Sequence, residues 1–328
     1  MKIRKAVIPA AGYGTRFLPM TKASPKEMLP IIDKPIIQYV VEEAVASGIE
    51  DIVIVTGYNK RAIEDHFDHS LELENYLEKA GKLEQLEEIR RIARLANFIY
   101  IRQKGPYGNG TPILNAEPII GNEPFAVLWG DEFIYSQPPR LKQMIEVFEK
   151  FNDPVISAVR IEDKKDLAKY GIAKIKEVEE KIFEIEEIVE KPEPDKAPSN
   201  LATHGAYILT PDIFEALKNL QPGKGGEIWL TDAINALKKN HKIYGREIAN
   251  GKYYDTGNKL EYLKANVDFG LQREDLNGEF KNYLKGLKLW ISSLFPFSIN
   301  RFLFSKEDRW IPENFSSLPA PLWASLLF

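Results

Sequence analysis

Short apolar runs alternate with longer amphipathic stretches through the first 150 residues, and this alternation limits the possible folds more than any other feature. The apolar runs have the length and composition of buried strands and occupy residues 6–9, 51–57, 98–103 and 125–131. The stretches between them carry apolar residues at helical spacing and occupy residues 36–48, 60–67 and 71–96. Strands that alternate with helices predict a Rossmann-like α/β fold, in which helices flank a mixed, mostly parallel sheet.

The pattern changes after residue 154. Four apolar segments follow one another with short connections, VISAVRI, GIAKI, KIFEIEEIVEKP and HGAYIL, which indicates a small antiparallel extension of the sheet. Helical patterns return at residues 211–219, 230–239, 258–269 and 279–286. We therefore expect a single catalytic domain over residues 1–288 and a separate tail over residues 289–328.

The tail over residues 289–328 has an unusual composition. It contains Trp290, Trp310 and Trp323, and prolines interrupt its uncharged runs before they reach the roughly 20 residues of a spanning helix. We interpret it as a strap across the subunit or an appendage outside the core. An oligomer contact or an interfacial membrane anchor is the alternative.

Composition excludes several classes of function. The net charge of -4 argues against a nucleic-acid-binding surface, which needs a clustered basic excess. The absence of cysteine excludes disulfides, thiol catalysis and thiolate metal sites. The N-terminal residues contain no apolar run of signal-peptide length, so we expect a cytoplasmic enzyme.

A glycine-rich stretch follows the first predicted strand, IPAAGYGTRFLPMTKASPKEML at residues 8–29. Gly12 and Gly14 allow the backbone to approach a ligand closely and to offer N–H donors. Phe17 breaks the dinucleotide pattern G-x-G-x-x-G, and no Gly-Lys-Ser/Thr follows. Three nearby cations suit a polyphosphate, namely Arg16, Lys22 and Lys26. A simple turn with solvated basic residues is the alternative.

Residues 12–39 resemble the sugar-1-phosphate nucleotidylyltransferases, in particular their bacterial and archaeal UTP-using branch. The agreement recurs in order at WGD (129–131), YGI (170–172), VEKPEPDKAPSNLA (189–202), GEIWLTDAI (226–234) and YYDTGNKLEYLKANVDF (253–269). The resemblance covers about residues 3–286. It implies Mg²⁺-assisted transfer of a uridylyl group from UTP to glucose 1-phosphate, with release of pyrophosphate, in a homo-oligomer (dimer or tetramer). The alternatives are a dTTP-using or broad-specificity hexose-1-phosphate enzyme, or a non-catalytic homologue that binds nucleotide sugars.

The chemistry of such a transfer needs positioning and charge neutralisation more than a side-chain nucleophile, because the attacking phosphate oxygen is already anionic. The resemblance implies a metal between Asp131 and Asp255 and catalytic roles for Arg16, Lys26 and Lys191. It assigns the nucleotide to Ala11, Gly12, Gly14, Thr15, Gln103, Gly108 and Asp131. It assigns the sugar phosphate to Gly171, Glu190, Lys191, Asn200 and Gly205.

One segment departs from the pattern that the resemblance implies. The bacterial enzymes typically read Gly-Leu-Gly-His-Ala in the base-binding loop, whereas this chain reads Gly-Asn-Gly-Thr-Pro at residues 108–112. Proline is compatible with the first turn of a helix, so the loop can still lead into one. The change from His to Thr leaves the choice between UTP and dTTP open, since both bases share the same hydrogen-bonding edge.

Overall fold

The computed structural model describes residues 2–221, 223 and 226–294. Residues 289–294 continue its last helix, and the rest of the predicted tail, residues 295–328, lies outside the described residues. The chain divides into two compact units, one ending at Gly270 and the other beginning at Leu271. Within the described part of the chain, no helix combines the length and the hydropathy needed to cross a bilayer.

Strands occupy most of the predicted apolar runs. In chain order they are β1 (Lys5–Ala10), β2 (Pro30–Ile31), β3 (Lys34–Pro35), β4 (Asp51–Thr56), β5 (Asn97–Arg102), β6 (Phe125–Val127), β7 (Phe133–Ser136), β8 (Val155–Arg160), β9 (Gly171–Glu179), β10 (Ile182–Glu190), β11 (Leu201–Leu209), β12 (Tyr244–Glu247) and β13 (Gly251–Tyr254). β6 is shorter than the predicted strand over residues 125–131, although the Leu128 N–H still donates to the Val7 carbonyl oxygen of β1 at 3.0 Å.

Helices fill the intervening segments. In chain order they are α1 (Ile36–Ala46), α2 (Arg61–His66), α3 (Leu71–Lys79), α4 (Leu83–Ala93), α5 (Thr111–Asn115), α6 (Glu117–Ile120), α7 (Arg140–Phe151), α8 (Asp212–Asn219), α9 (Leu230–Leu237), α10 (Lys259–Gln272) and α11 (Asn277–Leu294). The helical pattern over residues 71–96 forms two helices rather than one. Gly81 separates them with a φ of 69°, a left-handed conformation that ends a helix readily.

Nine of the described strands form one mixed sheet in the order β5-β4-β1-β6-β11-β8-β12-β10-β9. The pairs from β5 to β6 are parallel, and β8 pairs with β12 in the same way. The pairs of β11 with β6 and β8, and of β10 with β12 and β9, are antiparallel. The predicted mixed α/β sheet is confirmed, and its antiparallel part is larger than expected because the nine-residue strands β9 and β10 form a full hairpin.

Alternate residues of the central strands supply two apolar layers, one on each face of the sheet. Ile8 and Ile54 pack on one face with α1 and α7, while Val7 and Val53 pack on the other with α5, α8 and α9. β1 lies between β4 and β6, so the chain order reverses beside it. In open α/β sheets, ligands bind beyond the carboxyl end of the strand at such a reversal. The glycine-rich stretch starts at this point.

Candidate active site

The glycine-rich stretch folds back on itself directly after β1. Gly14 has a φ of 69°, and the hydroxyl of Thr21 donates to its carbonyl oxygen at 2.7 Å. The Lys26 Nζ atom lies 3.6 Å from the position that a Cβ on Gly12 would occupy. Proline-containing 3₁₀ turns between these residues therefore bring the Lys26 ammonium group beneath the first glycine of the loop.

Lys26 forms an ion pair across the site. Its Nζ atom lies 2.5 Å from the Oδ2 atom of Asp131, which follows β6. Burial opposes the positive charge on Lys26, but the neighbouring carboxylates of Asp131 and Glu27 outweigh this effect and raise its pKa. The ammonium group is thus charged throughout the physiological pH range.

Asp131, Asp255 and Arg16 converge around Gly257. A Cβ on Gly257 would lie 3.1 Å from Asp255 Oδ1, 3.5 Å from Asp131 Oδ2 and 3.0 Å from Arg16 Nη1. Burial raises the pKa of Asp255, with Arg16 opposing and Asp131 reinforcing the shift. The antiparallel pairing of β7 with β13 places Tyr254 opposite Phe133, which brings the segments that carry both carboxylates together.

This pair of carboxylates fits a small divalent cation. Mg²⁺ prefers oxygen ligands and is often held by one or two carboxylates together with substrate phosphates. Among the described residues, no group of three or more Asp, Glu, His or Cys side chains forms a complete protein cage for a metal. The geometry therefore suits a metal ion that is held partly by these two carboxylates and partly by the phosphates of a polyphosphate substrate.

A cavity of about 630 Å³ opens beside the ion pair. Six residues predicted to bind the nucleotide or its phosphates line it, namely Ala11, Gly12, Lys26, Gln103, Gly108 and Asp131. Thr15 lines a neighbouring cavity of about 370 Å³ that shares Gly12. Glu27, Trp129 and Glu227 also line the first cavity, although the sequence analysis assigned them no site role.

The Gly-Asn-Gly-Thr-Pro segment forms a tight loop between β5 and α5. Gly108 has a φ of 118°, and a Cβ there would lie 2.2 Å from the carbonyl oxygen of Ile228. Thr111 is the first residue of α5 and Pro112 follows it in the first turn. The loop therefore leads into a helix as predicted, in spite of its departure from the usual sequence.

Four of the residues predicted to bind the sugar phosphate lie at or next to the ends of β9, β10 and β11, namely Gly171, Glu190, Lys191 and Asn200, while Gly205 lies in the middle of β11. In the register of the sheet, Gly171 of β9 lies opposite Glu190 of β10 on one side and Thr203 of β11 on the other. A Cβ on Gly171 would lie 3.1 Å from Glu190 Oε2, so a larger residue there would require the Glu190 carboxylate to shift. Asn200 lies just before β11, and its Oδ1 atom accepts a hydrogen bond from Arg160 at 2.9 Å.

Lys191 follows β10 with an exposed side chain and a left-handed backbone. Its φ is 46°, a conformation that is uncommon for a residue with a side chain. The Lys191 N–H donates to the carbonyl oxygen of Tyr170 at 3.0 Å, which holds the backbone in this conformation. Such conformations persist where the surrounding structure fixes them, and they are often found at functional sites.

Gly205 lies beneath the ring of Trp129 and above a buried ion pair. A Cβ on Gly205 would lie 2.1 Å from Trp129 Cδ1. The Arg140 guanidinium group donates to the Gly205 carbonyl oxygen and to both carboxylate oxygens of Glu43, which lie 2.9 Å away. Sequence reasoning selected Gly205 but missed these supporting residues, because Glu43 and Arg140 read as ordinary helix residues.

A second group that the sequence did not reveal lies behind the predicted sugar site. The Tyr253 hydroxyl donates to Glu132 Oε2 at 2.8 Å, and its ring stacks on His204 with 4.0 Å between ring centroids. Burial raises the pKa of Glu132 to about 7, and burial together with Arg140 lowers the pKa of His204 to about 3. The available signal was their position in the sequence: Glu132 follows WGD, Tyr253 lies in YYD, and His204 precedes Gly205.

A comparison with known protein families agrees with this arrangement of glycine loop, cations and paired carboxylates. The model of the nucleotidyl transferase family matches residues 5–270. The chain belongs to the nucleotidyl transferase family. Members of this family generally use a divalent metal ion, in keeping with the pair of carboxylates around Gly257.

Curated nucleotidyl transferases with known names resemble the chain over most of its length. A UTP–glucose-1-phosphate uridylyltransferase of Bacillus subtilis is 50% identical over 284 residues, which are 87% of this chain and 95% of that protein. A second enzyme of the same name from Staphylococcus saprophyticus is 49% identical over 288 residues, 88% of this chain and 99% of that protein.

Solved structures of nucleotidyl transferases share the fold. A UDP-glucose pyrophosphorylase crystallised with UDP-glucose has a TM-score of 0.74 and 45% identity, over 83% of this chain and 100% of that chain. A UTP-bound UDP-glucose pyrophosphorylase from Acinetobacter baumannii has a TM-score of 0.81 and 38% identity, over 86% of this chain and 99% of that chain.

Proposed function

We propose that this chain is a UTP–glucose-1-phosphate uridylyltransferase, which forms UDP-glucose and pyrophosphate from UTP and glucose 1-phosphate. The named relatives at about 50% identity and the UDP-glucose and UTP complexes of similar structures support this function. The observation that carries it is the convergence of Arg16, Asp131 and Asp255 beside Lys26, at the edge of the cavity of about 630 Å³.

The reaction is a single in-line displacement. A phosphate oxygen of glucose 1-phosphate attacks the α-phosphorus of UTP, and the bond from that phosphorus to the bridging α–β oxygen breaks. Its electron pair leaves with pyrophosphate, so no proton transfer and no protein nucleophile are required. The protein must hold two anions in line and stabilise the charge that develops on the leaving group.

Asp131 and Asp255 would hold the cation, which we expect to be Mg²⁺. Bound there, it would neutralise part of the triphosphate charge. Lys26, which pairs with Asp131 at 2.5 Å, stabilises the charge on the leaving pyrophosphate, assisted by Arg16. Lys26 exchanges the Asp131 carboxylate for the pyrophosphate as its anionic partner, so its ammonium group stays charged during the reaction.

The other predicted residues bind the two substrates. Ala11, Gly12, Gly14, Thr15, Gln103 and Gly108 bind the nucleotide, largely through backbone groups and the Gln103 amide. Lys191 binds the sugar phosphate, while Gly171, Glu190, Asn200 and Gly205 surround the sugar. The left-handed backbone of Lys191 supports this assignment, since it places an exposed cation directly after Glu190, whose carboxylate lies beside Gly171.

A substrate panel tests the function. Pyrophosphate release is measured for UTP, dTTP and the other nucleoside triphosphates against glucose 1-phosphate and other hexose 1-phosphates, with and without Mg²⁺. We expect release with UTP and glucose 1-phosphate, and only with the metal. Preference for dTTP would favour the alternative that the Gly-Asn-Gly-Thr-Pro loop raises, and absence of release with every pair would refute the enzyme function.

A pair of variants tests the metal site. Asp131→Asn keeps the shape of the side chain but removes a negative charge, and we expect it to abolish turnover while the protein still unfolds in one cooperative thermal transition. Asp65→Asn, which alters an exposed carboxylate on α2, is the matched control and should retain full activity. Normal Mg²⁺-dependent turnover of Asp131→Asn would refute the assignment.

We also infer that the catalytic domain ends near residue 288 and that the chain forms a cytoplasmic homo-oligomer, a dimer or tetramer. The match of the family model, which ends at residue 270, supports a separate C-terminal segment. Light scattering of the full chain and of a chain lacking residues 289–328 measures both points. A monomeric full chain would refute the oligomer, and loss of activity on deletion would refute the domain boundary.

A further inference from the structure

The loop that lines the nucleotide cavity is fastened to the segment before α9. The Gly110 N–H donates to the Ile228 carbonyl oxygen at 2.9 Å, and the Ile228 N–H donates to the Tyr107 carbonyl oxygen at 2.9 Å. One further bond uses a side chain: the Leu230 N–H donates to Asn109 Oδ1 at 2.7 Å. Asn109 is therefore the side chain that joins this loop to α9.

This hydrogen bond also caps the helix. Leu230 is the first residue of α9, and the preceding Trp229 makes no side-chain cap. The first N–H groups of a helix lack partners within the helix, and an oxygen from Asn or Asp is among the best acceptors for them. Here the acceptor comes from a loop 121 residues earlier in the chain, so the side chain of Asn109 links that loop to the first turn of α9.

The helix is a rigid support for the loop. Leu230, Ala233, Ile234 and Leu237 of α9 are buried in the core on one face of the sheet. The loop lies so close to its support that a Cβ on Gly108 would come within 2.2 Å of the Ile228 carbonyl oxygen. The segment that leads into α9 thus fixes the position of residues 107–109, which line the same cavity as Gln103.

We propose that Asn109 is a positioning residue for the nucleoside triphosphate, which acts by tying the base-side wall of the cavity to the first turn of α9. This inference rests on the proposed function. Asn109→Ala removes the acceptor and leaves the loop held to the segment before α9 by the two backbone hydrogen bonds of Ile228. Because the sugar site lies on other strands, the effect should fall on nucleotide binding.

The test measures steady-state kinetics and calorimetric UTP binding for three variants. For Asn109→Ala we expect the KM and Kd for UTP to rise ~3- to 10-fold, the range for one lost hydrogen bond. We expect kcat and the KM for glucose 1-phosphate to stay within about 2-fold of the wild type. Asn109→Asp keeps the accepting oxygen and places a negative charge at the start of a helix, where it is favourable, so it should restore UTP binding.

Asp232→Ala is the control for α9. Asp232 is an exposed residue in the first turn, so this change weakens the helix start without touching the loop, and UTP binding should stay normal. An unchanged KM for UTP in Asn109→Ala would overturn the inference. Equal losses in Asn109→Ala and Asn109→Asp would also overturn it, because the essential group would then be the amide nitrogen. An inactive wild type would instead refute the proposed function.

Discussion

Replacing Glu43 with glutamine removes one charge from a buried ion pair. The Arg140 side chain is 0% exposed, and its Nε and Nη2 atoms lie 2.9 Å from the two carboxylate oxygens of Glu43. Glu43 Oε1 also accepts the Leu141 N–H at 3.1 Å, near the start of α7. Burial opposes the charge on Arg140, but Glu43 outweighs it and raises the pKa of the guanidinium group.

The expected loss of stability follows from the buried charge that the variant leaves unpaired with Glu43. Glu43→Gln retains an oxygen that can accept hydrogen bonds, but the buried guanidinium group loses its hydrogen-bonded counter-charge. Breaking a buried pair in this way typically costs ~3–5 kcal/mol of the free energy of unfolding. For a domain of this size, each kilocalorie lowers the Tm by ~2–4 °C, so we expect a decrease of ~6–20 °C.

Thermal and urea unfolding measure this loss, with Glu50→Gln as the control. Glu50 forms exposed ion pairs with Lys2 and Arg4, and its replacement should change the Tm little. The double variant Glu43→Leu/Arg140→Met removes both charges and should lose less stability than Glu43→Gln. A loss in Glu43→Gln no greater than in Glu50→Gln would refute the reasoning.

Three further predictions follow from the same region. Gly205→Ala would place a Cβ 2.1 Å from Trp129 Cδ1, so we expect kcat/KM to fall at least ~10-fold. The control is Gly278→Ala, since Gly278 has open space around it. Equal activity of the two variants would contradict the prediction. Lys26→Met should lower kcat ~100-fold or more with little change in the KM for glucose 1-phosphate; the opposite pattern would assign Lys26 to the sugar. Burial lowers the pKa of His204 from 6.5 to about 3, so this side chain stays neutral in the folded protein between these pH values. The unfolded chain binds a proton there below pH 6.5, so the free energy of unfolding decreases by ~1.4 kcal/mol for each pH unit below 6.5. Unfolding measured from pH 7 to 5 should therefore show a shallower decline in His204→Asn, and parallel curves would refute the shift.

The sequence by itself determined the features that depend on local patterns. Alternating apolar and amphipathic runs predicted the α/β sheet, because a strand or helix must bury one face and its period records which face that is. The glycine-rich stretch predicted a phosphate site because its glycines and cations are close together in the sequence. Lys26 and Arg16 lie within a few residues of Gly12 and Gly14, so the turn after β1 could not separate them far. Asp131 and Asp255 needed the resemblance to a family, since each alone reads as a turn residue.

Only the tertiary structure decided which distant residues support the site. Glu43 and Arg140 are 97 positions apart, and Asn109 and Leu230 are 121 positions apart. Nothing in the local pattern of either member predicts its partner, because the contact depends on strand order, register and the packing of whole helices. The burial of Arg140 and the fit of Trp129 over Gly205 have the same origin. A local pattern specifies which face of an element is buried, whereas the partner is fixed only when two elements pack together.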